Sequence, residues 1–228
     1  MAALRNLLIL FLLSLALPLA SLAETGPLET IRTRIDAAIA ILQDPTYKDA
    51  TPELAEQQHQ QLFDHVQDIF DFRTISMLAT GRNWRRFSEP QQQEFSDLFA
   101  KLLANTYIEK VQDNFKNEKV VYDQETLISQ DRSEVSSRVV LSQGEVPVLY
   151  KLRNIRNEWR IYDIQIEGIS LVQNYRSQFE DFLFRREPAD LIRHMQAKIK
   201  ELETNRIQRR KDGKTSEEAD KDKALRIL

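Results

Sequence analysis

The chain contains no cysteine. That excludes disulfide stapling, thiol nucleophiles, zinc–thiolate sites and iron–sulfur clusters. A chain of this length buries an adequate core without cross-links. Glycine is scarce, with 5 in 228 residues, and neither GxGxxG nor GxxxxGK[ST] occurs, so no glycine-rich loop is available to cradle a phosphate. The three histidines are His59, His65 and His194. His59 and His65 stand six apart, about 600° around a helix, and so lie on different faces. A metal pair wants a spacing of three or four. They read as packing or surface residues, and no metal or other cofactor is expected. No GxSxG nucleophile elbow is present. The balance of 32 Lys+Arg against 35 Asp+Glu, net −3, argues against broad nucleic-acid binding. It leaves room for a local basic patch.

Only one long hydrophobic run exists, and it opens the chain. Leu7 to Leu19 is broken only by Ser14 and Pro18, follows Arg5, and precedes the small-x-small site Ser21-Leu22-Ala23. This pattern predicts a cleaved secretory signal over residues 1–23 and a mature protein starting at Glu24. A retained membrane anchor is the rival. The run is short for a span, which needs ~20 apolar residues. With no cysteine at the cleavage site, a lipoprotein anchor is excluded. The remainder suits one domain plus a tail.

Helical stripes come first. Leu28, Ile31, Ile35, Ala38, Ile39 and Leu42 share a face before Asp44-Pro45 ends the helix. Pro52 opens the next, with Leu54, Leu62, Phe63, Val66, Ile69 and Phe70 inward. A short helix follows over 71–80, with Gly81 as its C-terminal stop. Ser88-Glu89-Pro90-Gln91 is a capping box, and the helix after it carries Phe95, Leu98, Phe99, Leu102, Leu103, Tyr107 and Val111. Near Asn117 the period switches from helical to alternating. Strands are predicted at 119–129, 134–142, 146–156 and 159–167. Tight turns at Gln143-Gly144 and Asn157 make the last three an antiparallel meander. A helix follows Gly168. Helices, then a sheet, then a helix is an α+β arrangement, with helices on one face of a four-stranded, mainly antiparallel twisted sheet. Its cone-shaped layout is similar to that of NTF2-like proteins. Beyond a 24–186 domain, a narrow stripe at 187–204 predicts a C-terminal helix. The charged segment 205–228 reads as disordered.

Chemistry is sparse. Asp163 lies inside an otherwise apolar strand. In a cone-shaped α+β enzyme such a residue could act as general acid or base. The four strands carry no histidine to accompany it, so a structural role accepting hydrogen bonds is the favoured reading. Two segments are distinctive. Trp159 to Phe179, WRIYDIQIEGISLVQNYRSQF, runs an alternating strand through Glu167-Gly168 into a helix. Leu78-Ala79-Thr80-Gly81-Arg82-Asn83-Trp84 precedes Pro90-Gln91-Gln92-Gln93-Glu94-Phe95.

These two segments, in this order and behind a signal sequence, resemble the MlaC, or toluene-tolerance, family of periplasmic phospholipid-binding proteins. Asn83 departs from the tyrosine often found before that tryptophan. The resemblance spans roughly residues 31–184. It implies a monomeric periplasmic carrier that holds acyl chains in an apolar pocket and binds no cofactor. It also implies exchange with an inner-membrane ABC transporter bearing MCE-domain subunits and with an outer-membrane lipoprotein–porin complex. Candidate wall residues are Leu78, Phe99, Leu103 and Tyr107 on the early helices, and Val139, Leu141, Val148, Tyr150, Leu152, Ile164 and Ile166 on the strands. Leu171, Val172, Tyr175 and Phe179 on the late helix complete the set. Arg82 and Arg176 are headgroup candidates, since a guanidinium meets a phosphate with paired hydrogen bonds. A carrier of another lipid, such as a hopanoid, and an Asp163 enzyme remain the alternatives.

Overall fold

Proline stands in the first turn of four of the α-helices, where its missing N–H costs nothing. In the computed structural model, which describes residues 25–213, helix α1 spans Pro27–Gln43 and α2 spans Pro52–Ile69. Helix α3 covers Phe72–Thr80, α4 covers Glu89–Asn114 and α6 covers Pro188–Lys211. Helix α5, Leu171–Arg185, instead starts from a strand. Caps are explicit. Asp71 accepts from the Thr74 N–H at 3.0 Å, and Ser88 and Gln91 form the expected reciprocal capping box. Gly81 ends α3 at φ 56°, ψ −131°, a region that side chains rarely tolerate.

The sheet has order β1-β2-β3-β4-β5 and is antiparallel throughout. Its strands are β1 Lys119–Ser129, β2 Arg132–Leu141, β3 Gly144–Ile155, β4 Glu158–Ile166 and β5 Ile169–Ser170. The sequence predicts four strands. The fifth is two residues long, too short for alternation to show, and is created by the Glu167-Gly168 turn. Both turn residues have positive φ, 52° and 80°, as a tight two-residue hairpin requires.

The sequence also places the end of ordered structure too early. Helix α6 runs through residues 205–211 rather than stopping at 204. Arg206 is 5% exposed. Its guanidinium reaches Glu56 on α2 at 2.7 Å and bonds to Asn105 on α4. Arg210 also meets Glu56, at 3.0 Å, and Arg209 pairs with Glu109 of α4. Charge, not apolar periodicity, holds this end. The predicted signal segment and residues 214–228 of the predicted tail lie outside the described residues.

The interior forms two main apolar bodies and a small third. The helical body gathers Ile75, Phe95, Phe99, Tyr175, Phe179 and Met195 from α3, α4, α5 and α6. Its aromatic rings run from Trp84 through Phe95 and Phe99 to Tyr175 and Phe179, with the Phe99–Tyr175 centroids 4.9 Å apart. The sheet body puts Ile31 of α1 and Ile69 against Val135, Tyr150, Leu152 and Ile161. Leu62, Ala104 and Ile108 join α2 to α4.

Candidate functional site

The candidate wall residues divide between these two bodies. Phe99, Leu103, Val172, Tyr175 and Phe179 are buried in the helical body, with Leu78, Tyr107 and Leu171 half-buried against it. Val148, Tyr150 and Leu152 are buried in the sheet body, with Val139 and Ile164 half-buried at its margin. The register supports one common sheet face: Tyr150 stands opposite Ile164, and Val148 opposite Ile166. Two residues at the end of that face are open. Leu141 is 41% and Ile166 51% exposed.

Phe70, which ends the α2 stripe, packs against both bodies. Its neighbourhood is also where the helical layer joins the sheet. The Asp71 N–H donates to the Ile161 carbonyl at 2.8 Å. Arg153 of β3 donates to the Thr74 hydroxyl at 2.6 Å and sits 3.5 Å from Asp71. The second attachment is at the start of α5. Asp163, 6% exposed, accepts from the Ser170 hydroxyl at 2.7 Å and from the Val172 N–H at 3.1 Å. Ser170 in turn accepts from the Gln173 N–H at 3.1 Å. A carboxylate at a helix N-terminus is stabilised by the exposed N–H groups and by the helix dipole. Asp163 therefore caps α5, the structural role expected of it, and its oxygens are occupied.

Polar groups inside the apolar bodies are few. The Tyr175 hydroxyl is fully buried with no hydrogen-bond partner among the described residues, as is that of Ser137 on β2. Burial, with the Tyr107 hydroxyl nearby, pushes the Tyr175 phenol far above its usual range. Among the described residues no group of three or more His, Asp or Glu is placed to hold a metal.

The two distinctive sequence segments meet in space. A Cβ on Gly81 would lie 3.2 Å from the Arg176 guanidinium. Glycine at 81 thus serves both the turn and the close approach of the arginine. Arg82, the next residue, pairs with Glu180 of α5 at 3.6 Å. Both headgroup candidates therefore lie on the α3–α5 side of the molecule. Sequence reasoning missed the part α1 plays. Leu28, Ile31 and Ile35 cover the sheet, and Asp36 accepts from the Tyr122 hydroxyl of β1 at 2.9 Å. The stripe on α1 was visible, but nothing local says which surface it covers.

Fold and site together define an α+β protein with an apolar interior built in two layers and its strand carboxylate spent on a cap. The chain belongs to the MlaC family: the family model, described as MlaC protein, matches residues 32–197. It is 28% identical over 109 residues to the toluene tolerance protein ttg2D of Pseudomonas putida, a match covering 47% of this chain and 50% of that protein. The chain thus spans about half the length of this curated relative. A solved structure, the phospholipid-binding protein from Ralstonia solanacearum in complex with a phospholipid, superposes with a TM-score of 0.67 at 28% identity. That match covers 76% of this chain and 96% of that one. Among the described residues no helix is long and apolar enough to cross a membrane.

Proposed function

We propose that this protein is a periplasmic phospholipid carrier that receives acyl chains between its helical and sheet bodies. The observation carrying this reading is the likeness, over 96% of its length, to a protein solved with phospholipid bound. The division of the interior into two apolar bodies supports it, because chains can enter between layers without breaking either core. Tyr107, Val139, Ile164 and Leu171, half-buried at the margins, are the proposed first contacts. The deeper candidates form the walls behind them.

The energetics suit a shuttle. Each CH₂ removed from water contributes ~0.8 kcal/mol, so a 16-carbon chain gains on the order of 10 kcal/mol. A membrane offers nearly the same, so transfer is close to balanced and either direction is accessible. Delivery between an outer-membrane lipoprotein–porin complex and an inner-membrane MCE-domain ABC transporter is the corresponding physiological role. Export through cleavage after Ala23 belongs to the same reading.

Native mass spectrometry of protein purified from its host tests it. The expected result is a two-chain phospholipid at one per protein, lost in an Ile164→Trp variant that fills the seam. A different co-purified lipid, such as a hopanoid, would replace the substrate. A protein that stays empty after incubation with liposomes would overturn the reading.

A further inference from the structure

An aromatic side chain stands out from this protein at the centre of a basic patch. Phe184, in the last turn of α5, is 81% exposed. Two arginine-rich segments far apart in sequence converge beside it. The 3-10 turn Gly81–Arg86 packs against the second half of α5. Arg86 donates to the Leu183 carbonyl at 2.6 Å and to the Arg186 carbonyl at 3.0 Å. Arg82 pairs with Glu180, one helical turn before Phe184 and on the same flank of α5. The Arg186 guanidinium lies 5.0 Å from the centre of the half-buried Phe182 ring. Arg85 and Arg185 are exposed, and Arg176 rests against Gly81. The carboxylates within this patch are Glu180, Asp181, Glu187 and Asp190; Glu187 is held by Arg86 and Asp190 by Arg193. Seven arginines thus face four acids, on a chain whose net charge is −3.

From this placement we infer that the Phe184 patch docks the protein on an anionic phospholipid membrane. The shape selects a membrane over an acidic protein. A protruding aromatic ring needs a pocket in a rigid partner, whereas a fluid bilayer interface accepts it anywhere. A phenylalanine ring gains by entering the boundary between headgroups and acyl chains, and surrounding arginines gain from the negative surface potential within a Debye length. The cations set the orientation and the ring supplies the apolar contact, the combination that lets two weak signals act together. This docking does not depend on what the interior carries. Phe184 and Arg185 belong to the external surface, not to either apolar body.

Vesicle co-sedimentation of the protein, purified as its host accumulates it, tests the inference. Phosphatidylcholine vesicles are compared with mixed phosphatidylcholine–phosphatidylglycerol vesicles. Binding is expected only to the anionic vesicles and should fade with added salt. Phe184→Ala should weaken it by at least about tenfold. Arg85→Glu and Arg185→Glu should each cost about fivefold or more. All three positions are exposed, so melting temperatures should stay unchanged and confirm folding. The Ile164→Trp variant should still bind vesicles, which separates docking from lipid carriage. Equal binding to neutral and anionic vesicles, or full binding by Phe184→Ala, would overturn the inference. So would no binding to any vesicle, which would assign the patch to an acidic protein surface.

Discussion

At the scale of single residues, the stability of this protein turns on small polar devices rather than on a catalytic group. Asp163→Ala removes the acceptor of the Val172 N–H and Ser170 hydroxyl and leaves both buried. Its expected cost is about 1–3 kcal/mol, read as a lower urea midpoint with unchanged slope. An enzymatic role would instead show as lost turnover in a well-folded Asp163→Asn protein. Gly81→Ala combines an unfavourable φ with a contact on the Arg176 guanidinium. A loss of ~1–3 kcal/mol is expected, partly relieved when Arg176→Ala is combined with it. Additive losses would show that arginine crowding contributes nothing. Both positions stood out in the sequence. Gly81 was legible as a helix stop, but its partnership with Arg176 joins residues almost a hundred positions apart and leaves no local trace.

At the scale of elements, the end of α6 is a lock made of charge. Burial alone would raise the Glu56 carboxyl. Hydrogen bonds and charge from Arg206, together with the charge of Arg210, outweigh burial and hold it below its usual value. Burial and then the Arg206 charge push His59 down from 6.5 to about 4, so its ring stays neutral beside Arg206, 3.2 Å away. Each group binds protons more weakly folded than unfolded. Stability is therefore full above about pH 6.5 and drains as pH falls through 4. His59 contributes roughly 3 kcal/mol of that loss. Hydrogen exchange of the amides at 200–211 should quicken sharply from pH 7 to pH 5 relative to the intrinsic rate. A His59→Gln variant should flatten that response. Ending the chain at Asn205 should lower the melting temperature by several degrees, because Glu56 and Glu109 lose their arginines. An unchanged melt would restore the disordered-tail reading for 205–211.

The same element shows where sequence reading stops. The strands were legible to within about two residues because alternation and turn residues agree. The last turns of α6 were not, because Ile207 is their one aliphatic residue and their anchors are arginines whose acceptors belong to α2 and α4. Periodicity reports apolar faces and is blind to burial by ion pairing.

For the whole molecule, the two-layer interior makes stability and occupancy one question. A guest held at one hundred times its dissociation constant adds about 2.7 kcal/mol, so lipid-stripped protein should melt roughly 5–10 °C lower than loaded protein. Differential scanning of delipidated and reloaded samples would show it, and equal melts would count against an internal guest. The apolar faces were legible one at a time. Their grouping into two bodies was not, because it depends on α1 crossing to the sheet, a long-range choice that no stretch of sequence states.

The attachments between the layers carry one more consequence. The Asp71–Ile161 backbone bond and the Asp163 cap both lie on β4, two residues apart in the middle of the strand. That places a gatepost at β4. A guest is expected to enter by a swing about this strand, with the far β1–β2 edge travelling furthest and the post itself staying still.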